Sequence, residues 1–279
     1  MYQVIDIKGK APPTAFANGV MDAVDDGVKV INYSAGGPYS PIYSPAIQYA
    51  KDHNVLIIIS AGINNLGSVD YPAALSTQFD NIIAVSATNV IDQIANFSSI
   101  GNEVTIAAPG DQIYSTILLG LTYGGGHNGT SFSAPYVTGV ASLMYSVNSN
   151  LLPPQVKDIL EKTTLDIGDY GKDNYFGYGR LDAYRAVKST QILNTYPGSK
   201  FITSSKSSTI IQYQIIEGGF VSLKVYDYLG RKIAVLVNKV QPSGRYSVTF
   251  DASSLSSGVY FYAINAKDFN KVKKMILLR

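Results

Sequence analysis

The chain has 279 residues, 46% of them hydrophobic and 15% charged, with a net charge of +2. That is core material for one large domain and a small one, and the near-neutral balance holds no basic run of the kind that binds nucleic acid. Cysteine is absent, which excludes disulfides and thiol catalysis, and no apolar stretch approaches a transmembrane segment in length.

Met1 leads directly into Tyr2-Gln3-Val4-Ile5, without the basic and apolar regions of a signal peptide. From there to about residue 188, β-branched runs alternate with helical patterns, which predicts an α/β fold with a parallel sheet flanked by helices. In chain order the pattern predicts a helix over 14–26, a strand over 28–33, a helix over 44–53 and strands over 55–60, 82–88 and 104–107. Helices follow over 131–148, 154–162 and 181–188; Pro153-Pro154 favours the first turn of the second. Polar residues then fall at strand carboxyl ends, where open α/β sheets build their sites. After residue 195 the helical pattern stops, and short alternating runs over 209–215, 221–228, 233–239, 244–251, 258–266 and 271–278 predict an all-β immunoglobulin-like sandwich. The expected domains are 1–190 and 201–279, joined by a linker over 191–200.

One run carries chemistry. Residues 129–139 read Gly-Thr-Ser-Phe-Ser-Ala-Pro-Tyr-Val-Thr-Gly. A nucleophilic serine works best at the start of a helix, with free backbone N–H groups facing a developing oxyanion. Gly129 permits the tight entry, and Thr130 and Ser131 suit a helix start. The run resembles the nucleophile segment of subtilisin-like serine proteases, with Ser131 as the attacking hydroxyl. Five further segments resemble that family in its own order. Val30-Ile31-Asn32-Tyr33-Ser34-Ala35-Gly36-Gly37-Pro38 is similar to one wall of the primary specificity pocket, and Ile59-Ser60-Ala61-Gly62 to the opposing wall. Phe97-Ser98-Ser99-Ile100-Gly101 with Ala107-Ala108-Pro109-Gly110, and Phe176-Gly177-Tyr178-Gly179-Arg180-Leu181, match later landmarks. The resemblance implies peptide-bond hydrolysis through an acyl-enzyme on Ser131. A polypeptide substrate would lie along Ser34, Ala35, Gly36 and Gly37 on one side, and along Ser60, Ala61, Gly62, Gly129 and Thr130 on the other. Glycines on both walls suggest room for sizeable apolar side chains.

Departures from the family bear on activity. Where it carries an oxyanion-binding asparagine this chain has Ile63, followed by Asn64 and Asn65; a one-residue slip puts Asn64 in that role. The family's Asp and His motifs are missing. Residues 1–5 align with a strand that follows them, so the chain is expected to begin inside the catalytic domain and to be inactive as it stands. Val4-Ile5-Asp6-Ile7 resembles the aspartate motif locally, but no His-Gly segment follows it. Of the two histidines, His53 reads as a solvated helix end, and His127, four residues before Ser131, as a residue that lines the leaving-group side or faces solvent, with a rival base as the alternative. No cofactor and no metal site is predicted; subtilases often bind calcium, but no ligand loop is visible, and Asp25-Asp26 and Asp166, Asp169 and Asp173 read as solvated faces.

Residues 201–279 resemble the type A C-terminal sorting domain of the type IX secretion system, through Leu223–Arg231, Gly244-Arg245-Tyr246, Ser254–Tyr262 and Lys273–Leu278. That resemblance implies export by the type IX machinery and a protein that is secreted or attached to the outer-membrane surface. A sugar- or protein-binding sandwich is the plainer alternative for this half. For the whole chain, the alternative to a protease is a non-catalytic subtilase-like protein that binds peptides or travels as surface cargo.

Overall fold

A computed structural model describes residues 11–116, 123–195, 200–203, 208–256, 258–267 and 269–278. The expected entry strand over 1–5 lies outside the described residues. The chain divides into two compact units, Met1–Gln191 and Ile192–Arg279.

In the first unit, helix α1 (Pro13–Asp25) leads to strand β1 (Val30–Tyr33), then to α2 (Tyr43–Asp52) and β2 (Leu56–Ser60). A short 3-10 helix (Ala73–Thr77), β3 (Ile82–Thr88) and β4 (Ile106–Pro109) follow. The four strands form a parallel sheet in the order β1-β2-β3-β4, with Tyr33 beside Ile59, Ser60 beside Val85 and Thr88 beside Pro109. β2 and β3 are buried along their whole length, which is why they read as unbroken apolar runs rather than alternating ones. Phe16, Val20 and Val24 of α1 and Tyr43 and Ile47 of α2 pack with Ile57, Ile59 and Ile82 in one core. Among the described residues β1 is an edge.

A hairpin of β5 (Ile113–Thr116) and β6 (Tyr123–His127) then precedes helix α3 (Thr130–Val147), α4 (Pro153–Thr163) and α5 (Ala183–Thr195). The alternating pattern did not predict this hairpin; β6 is Tyr-Gly-Gly-Gly-His, with no apolar alternation to read. α5 starts after Asp182, whose carboxylate accepts the N–H of Arg185, two residues later than expected. It also runs through Ser189 and Thr190, both fully buried, where the Thr190 hydroxyl is absorbed by the Ala186 carbonyl one turn back. β4 begins two residues after the expected 104, because Val104 is still bonded into a turn with Gly101.

The second unit is all-β. Its strands are β7 (Lys200–Thr203), β8 (Ser208–Ile215), β9 (Gly219–Asp227), β10 (Lys232–Gln241), β11 (Gly244–Asp251), β12 (Gly258–Ala266) and β13 (Phe269–Leu278). They form a five-stranded sheet, β10-β9-β12-β13-β7, and a two-stranded sheet, β11-β8. Ile211, Ile215 and Phe250 from the small sheet share one core with Val221, Leu223, Val225, Tyr262, Ile264, Met275 and Leu277 from the large one. The hairpin turn between β9 and β10 is held by Asp227, whose carboxylate accepts the N–H groups of Leu229 and Arg231 and the Arg231 guanidinium.

Candidate active site

The site assembles where three elements end or begin. Ser34 follows the last residue of β1, Ala61 and Gly62 follow the last residue of β2, and Ser131 is the second residue of α3. Parallel strands bring their carboxyl ends to one edge, and the amino terminus of α3 meets them there.

Two side chains, through three hydrogen bonds, fasten the helix start to both walls. The buried Thr130 hydroxyl accepts the Gly62 N–H at 3.1 Å and donates to the Gly62 carbonyl at 3.1 Å. On the other side, the Ser34 hydroxyl donates to the Ser131 carbonyl at 2.9 Å. That carbonyl is available for a physical reason. Its helical partner would be the N–H of residue 135, and Pro135 has none. A polar chain continues outward: the Asn32 amide donates to Ser34 Oγ at 2.9 Å, and Thr138 Oγ1 donates to Asn32 Oδ1 at 2.9 Å.

Gly129 sets the entry to the helix. Its φ of 155° is open to glycine and rarely to any other residue, and a Cβ there would lie 2.9 Å from Ser131 Oγ. The half-buried Ser131 thus sits with its hydroxyl beside the glycine and its N–H in the first helical turn, where backbone donors lack helical acceptors. Such an array favours developing negative charge.

Ile63 is 62% exposed, and its side chain carries no hydrogen-bond donor. The Asn64 amide is already engaged, donating to the Ser68 carbonyl at 3.0 Å and to Asp70 Oδ1 at 2.8 Å. Asn65 lies in the left-handed region with φ 52°, its N–H on the Phe97 carbonyl.

Neither imidazole is hydrogen-bonded to the Ser131 hydroxyl among the described residues. His53 caps the end of α2, with Nδ1 2.8 Å from the Tyr49 carbonyl; it precedes β2 while Gly62 follows it, so a whole strand, about 16 Å, separates them. His127 ends β6 and stacks on the Phe132 ring at 5.5 Å, and its buried Nε2 has no partner. Among the described residues no three Asp, Glu or His side chains converge as metal ligands. Asp166 and Asp173 instead accept backbone N–H groups within their own turns, from Gly171 and from Tyr175 and Phe176.

A residue that the sequence pattern did not single out lies between the walls. Asp70 donates its N–H to the Ala61 carbonyl, and its neighbour Tyr71 pairs with Gly37 through two backbone bonds of 2.9 Å. Its side chain occupies the space that the glycines leave: Asp70 Oδ2 would be 2.5 Å from a Cβ on Gly62, and Asp70 Cβ 2.8 Å from one on Gly36. The phenol of the nearby Tyr43 titrates above its usual range, because of burial first and the Asp70 charge second. Two flanking signals were readable in principle, the acid directly before Tyr71-Pro72 and the glycines opposite it; only the fold brings them together.

A helix-start serine tied to two glycine-bearing walls thus lies at the carboxyl edge of the parallel sheet, where open α/β sheets build their sites. Comparison with known proteins names the class. The profile of the subtilase family matches residues 2–179, and that of the secretion system C-terminal sorting domain matches residues 205–278. The chain belongs to the subtilase family. It is 35% identical to thermitase of Thermoactinomyces vulgaris over 67% of this chain and 63% of that protein. It is 36% identical to subtilisin NAT of Bacillus subtilis subsp. natto over 67% of this chain and 48% of that protein, and 35% identical to the cell wall-associated protease of Bacillus subtilis (strain 168) over 68% and 23%. The chain therefore spans less than two thirds of the length of each of these relatives. A lanthipeptide protease structure superposes with a TM-score of 0.60 at 29% identity, covering 67% of this chain and 69% of that one. The sorting domain marks the protein for type IX secretion, to the cell surface or beyond it. Among the described residues no helix is long and apolar enough to cross a membrane.

Proposed function

We propose that this chain carries the nucleophile, the primary pocket and the export address of a secreted subtilisin-like serine endopeptidase. Ser131 attacks the scissile carbonyl, and the Ser131 N–H stabilises the oxyanion. Asn64 joins it when its amide leaves Asp70 and Ser68. The substrate backbone lies as an added strand along Ser34, Ala35, Gly36 and Gly37, facing Ser60, Ala61 and Gly62, with Gly129 and Thr130 at the reacting end. The observation that carries this reading is the double fastening of the α3 start, Thr130 to Gly62 and Ser131 to Ser34. The catalytic part falls within Met1–Gln191, and the second unit, Ile192–Arg279, is an immunoglobulin-like sandwich that engages the type IX machinery.

Hydroxyl attack at neutral pH requires a base, in this family a histidine oriented by a carboxylate. With His53 on the opposite sheet edge and His127 turned onto Phe132, the 279 residues alone hydrolyse no peptide. Supplying the family's aspartate and histidine segments in cis is expected to restore hydrolysis. Ser131→Ala in that protein then costs on the order of 10⁴–10⁶ in kcat. Unchanged activity in Ser131→Ala would dismiss the reading. The second reading, a non-catalytic peptide-binding or cargo protein, draws support from Ile63 and the engaged Asn64; it predicts that the completed chain still binds peptides and cleaves none.

A further inference from the structure

We propose that Asp70 is a specificity-determining residue that makes the primary pocket select a cationic side chain, lysine or arginine, before the scissile bond. The inference rests on the peptide-site reading above and narrows its substrate class.

Asp70 forms the floor between the two walls. Its N–H is bonded to Ala61 of one wall, and the next residue pairs by backbone with Gly37 of the other. The carboxylate fills the position where a side chain on Gly62 would begin, and Gly62 is the residue that Thr130 ties to the start of α3. A side chain entering from a carbonyl at Ser131 and running between the glycines therefore ends against a carboxylate. The glycines have a second consequence: with no Cβ on Gly36 or Gly62, neither wall residue carries a side chain over Asp70, whose neighbours there are the polar Ser99 hydroxyl and the Asn64 amide.

The charge is left uncompensated. Asp70 Oδ1 accepts the neutral Asn64 amide at 2.8 Å, and no lysine or arginine among the described residues pairs with either oxygen. The buried Tyr43 phenol feels the charge, as its raised pKa reflects after the larger effect of burial. A half-buried carboxylate with one oxygen unclaimed and no counter-ion is a poor lining for an apolar side chain and a good partner for an ammonium or guanidinium. The room for apolar side chains expected from the glycines is thus closed at its end by a charge.

The test uses the full chain and needs no turnover. Acetylated tetrapeptides of sequence Gly-Ala-Ala-X, with X as arginine, its neutral isostere citrulline, norleucine or phenylalanine, are titrated and followed by NMR. Arginine is expected to bind about tenfold tighter than citrulline or norleucine, a ratio that falls as salt rises. Asp70→Asn should bring the ratio to about one, and Asp70→Glu should keep most of it. Equal binding of arginine and citrulline to the unaltered chain overturns the proposal whatever the variants do. If norleucine or phenylalanine binds best, the peptide-site reading stands and the Asp70 assignment falls. If no peptide saturates the chain, both fall.

Discussion

The two units bury polar groups for different ends. In the α/β unit the buried Thr130 hydroxyl and the Ser34 hydroxyl bond to backbone atoms across the carboxyl edge of the sheet, and what they fix is the position of Ser131. In the β unit the Asp227 side chain, 7% exposed, is spent within five residues on Leu229 and Arg231, and what it fixes is a hairpin turn. The contrast fits the proposed division of labour, in which one unit holds the peptide site and the other serves as an address.

The largest effect that would sharpen this division is removal of residues 201–279 from the exported protein. Export through the type IX route is expected to stop, while peptide affinity of the remaining unit stays within about twofold; secretion of the shortened protein would break the comparison. Next comes Gly129→Ala. A non-glycine residue at a φ of 155°, with its Cβ 2.9 Å from Ser131 Oγ, is expected to destabilise the first unit by about 3 kcal/mol in urea unfolding. The second unit's transition should not move. Thr130→Val keeps the shape and removes the hydroxyl, leaving the buried Gly62 N–H without its acceptor; a loss of about 2 kcal/mol is expected, together with weaker peptide binding.

The smallest effect concerns Asp227. Burial alone would raise its pKa, but the Arg231 guanidinium and the backbone N–H groups of Arg231 and Leu229 outweigh it and hold the carboxyl below the ordinary aspartate range. A folded-state pKa depressed below the unfolded one stabilises at pH values above the unfolded pKa, and the benefit is lost as pH falls through the folded one. Acid titration of the second unit should therefore show stability declining below about pH 4, and Asp227→Asn should flatten that decline.

Much of this was legible in the sequence because local chemistry agreed with the fold. β2 and β3 read as apolar runs since both faces are covered, and the β9 and β12 alternation reads as one buried face each. Gly129-Thr130-Ser131 announced itself because a helix start after a glycine needs those residue types. Three features escaped. The β6 strand is mostly glycine, α5 passes through serine and threonine that become buried only by packing, and Asp70 comes to lie against Gly36 and Gly62 beside a backbone bridge between residues 37 and 71. Each is decided by long-range contacts that a local pattern does not carry.

The most direct measurement is reaction of the folded 279-residue chain with a fluorophosphonate serine-hydrolase probe, with any adduct located by peptide mass and Ser131→Ala as control. The account predicts a Ser131 that is placed but not activated, and hence no adduct under conditions that fully label thermitase. An adduct on Ser131 that disappears in the variant would contradict it by revealing a base within these residues, His127 first. An adduct that persists in the variant would contradict it by placing the nucleophile elsewhere.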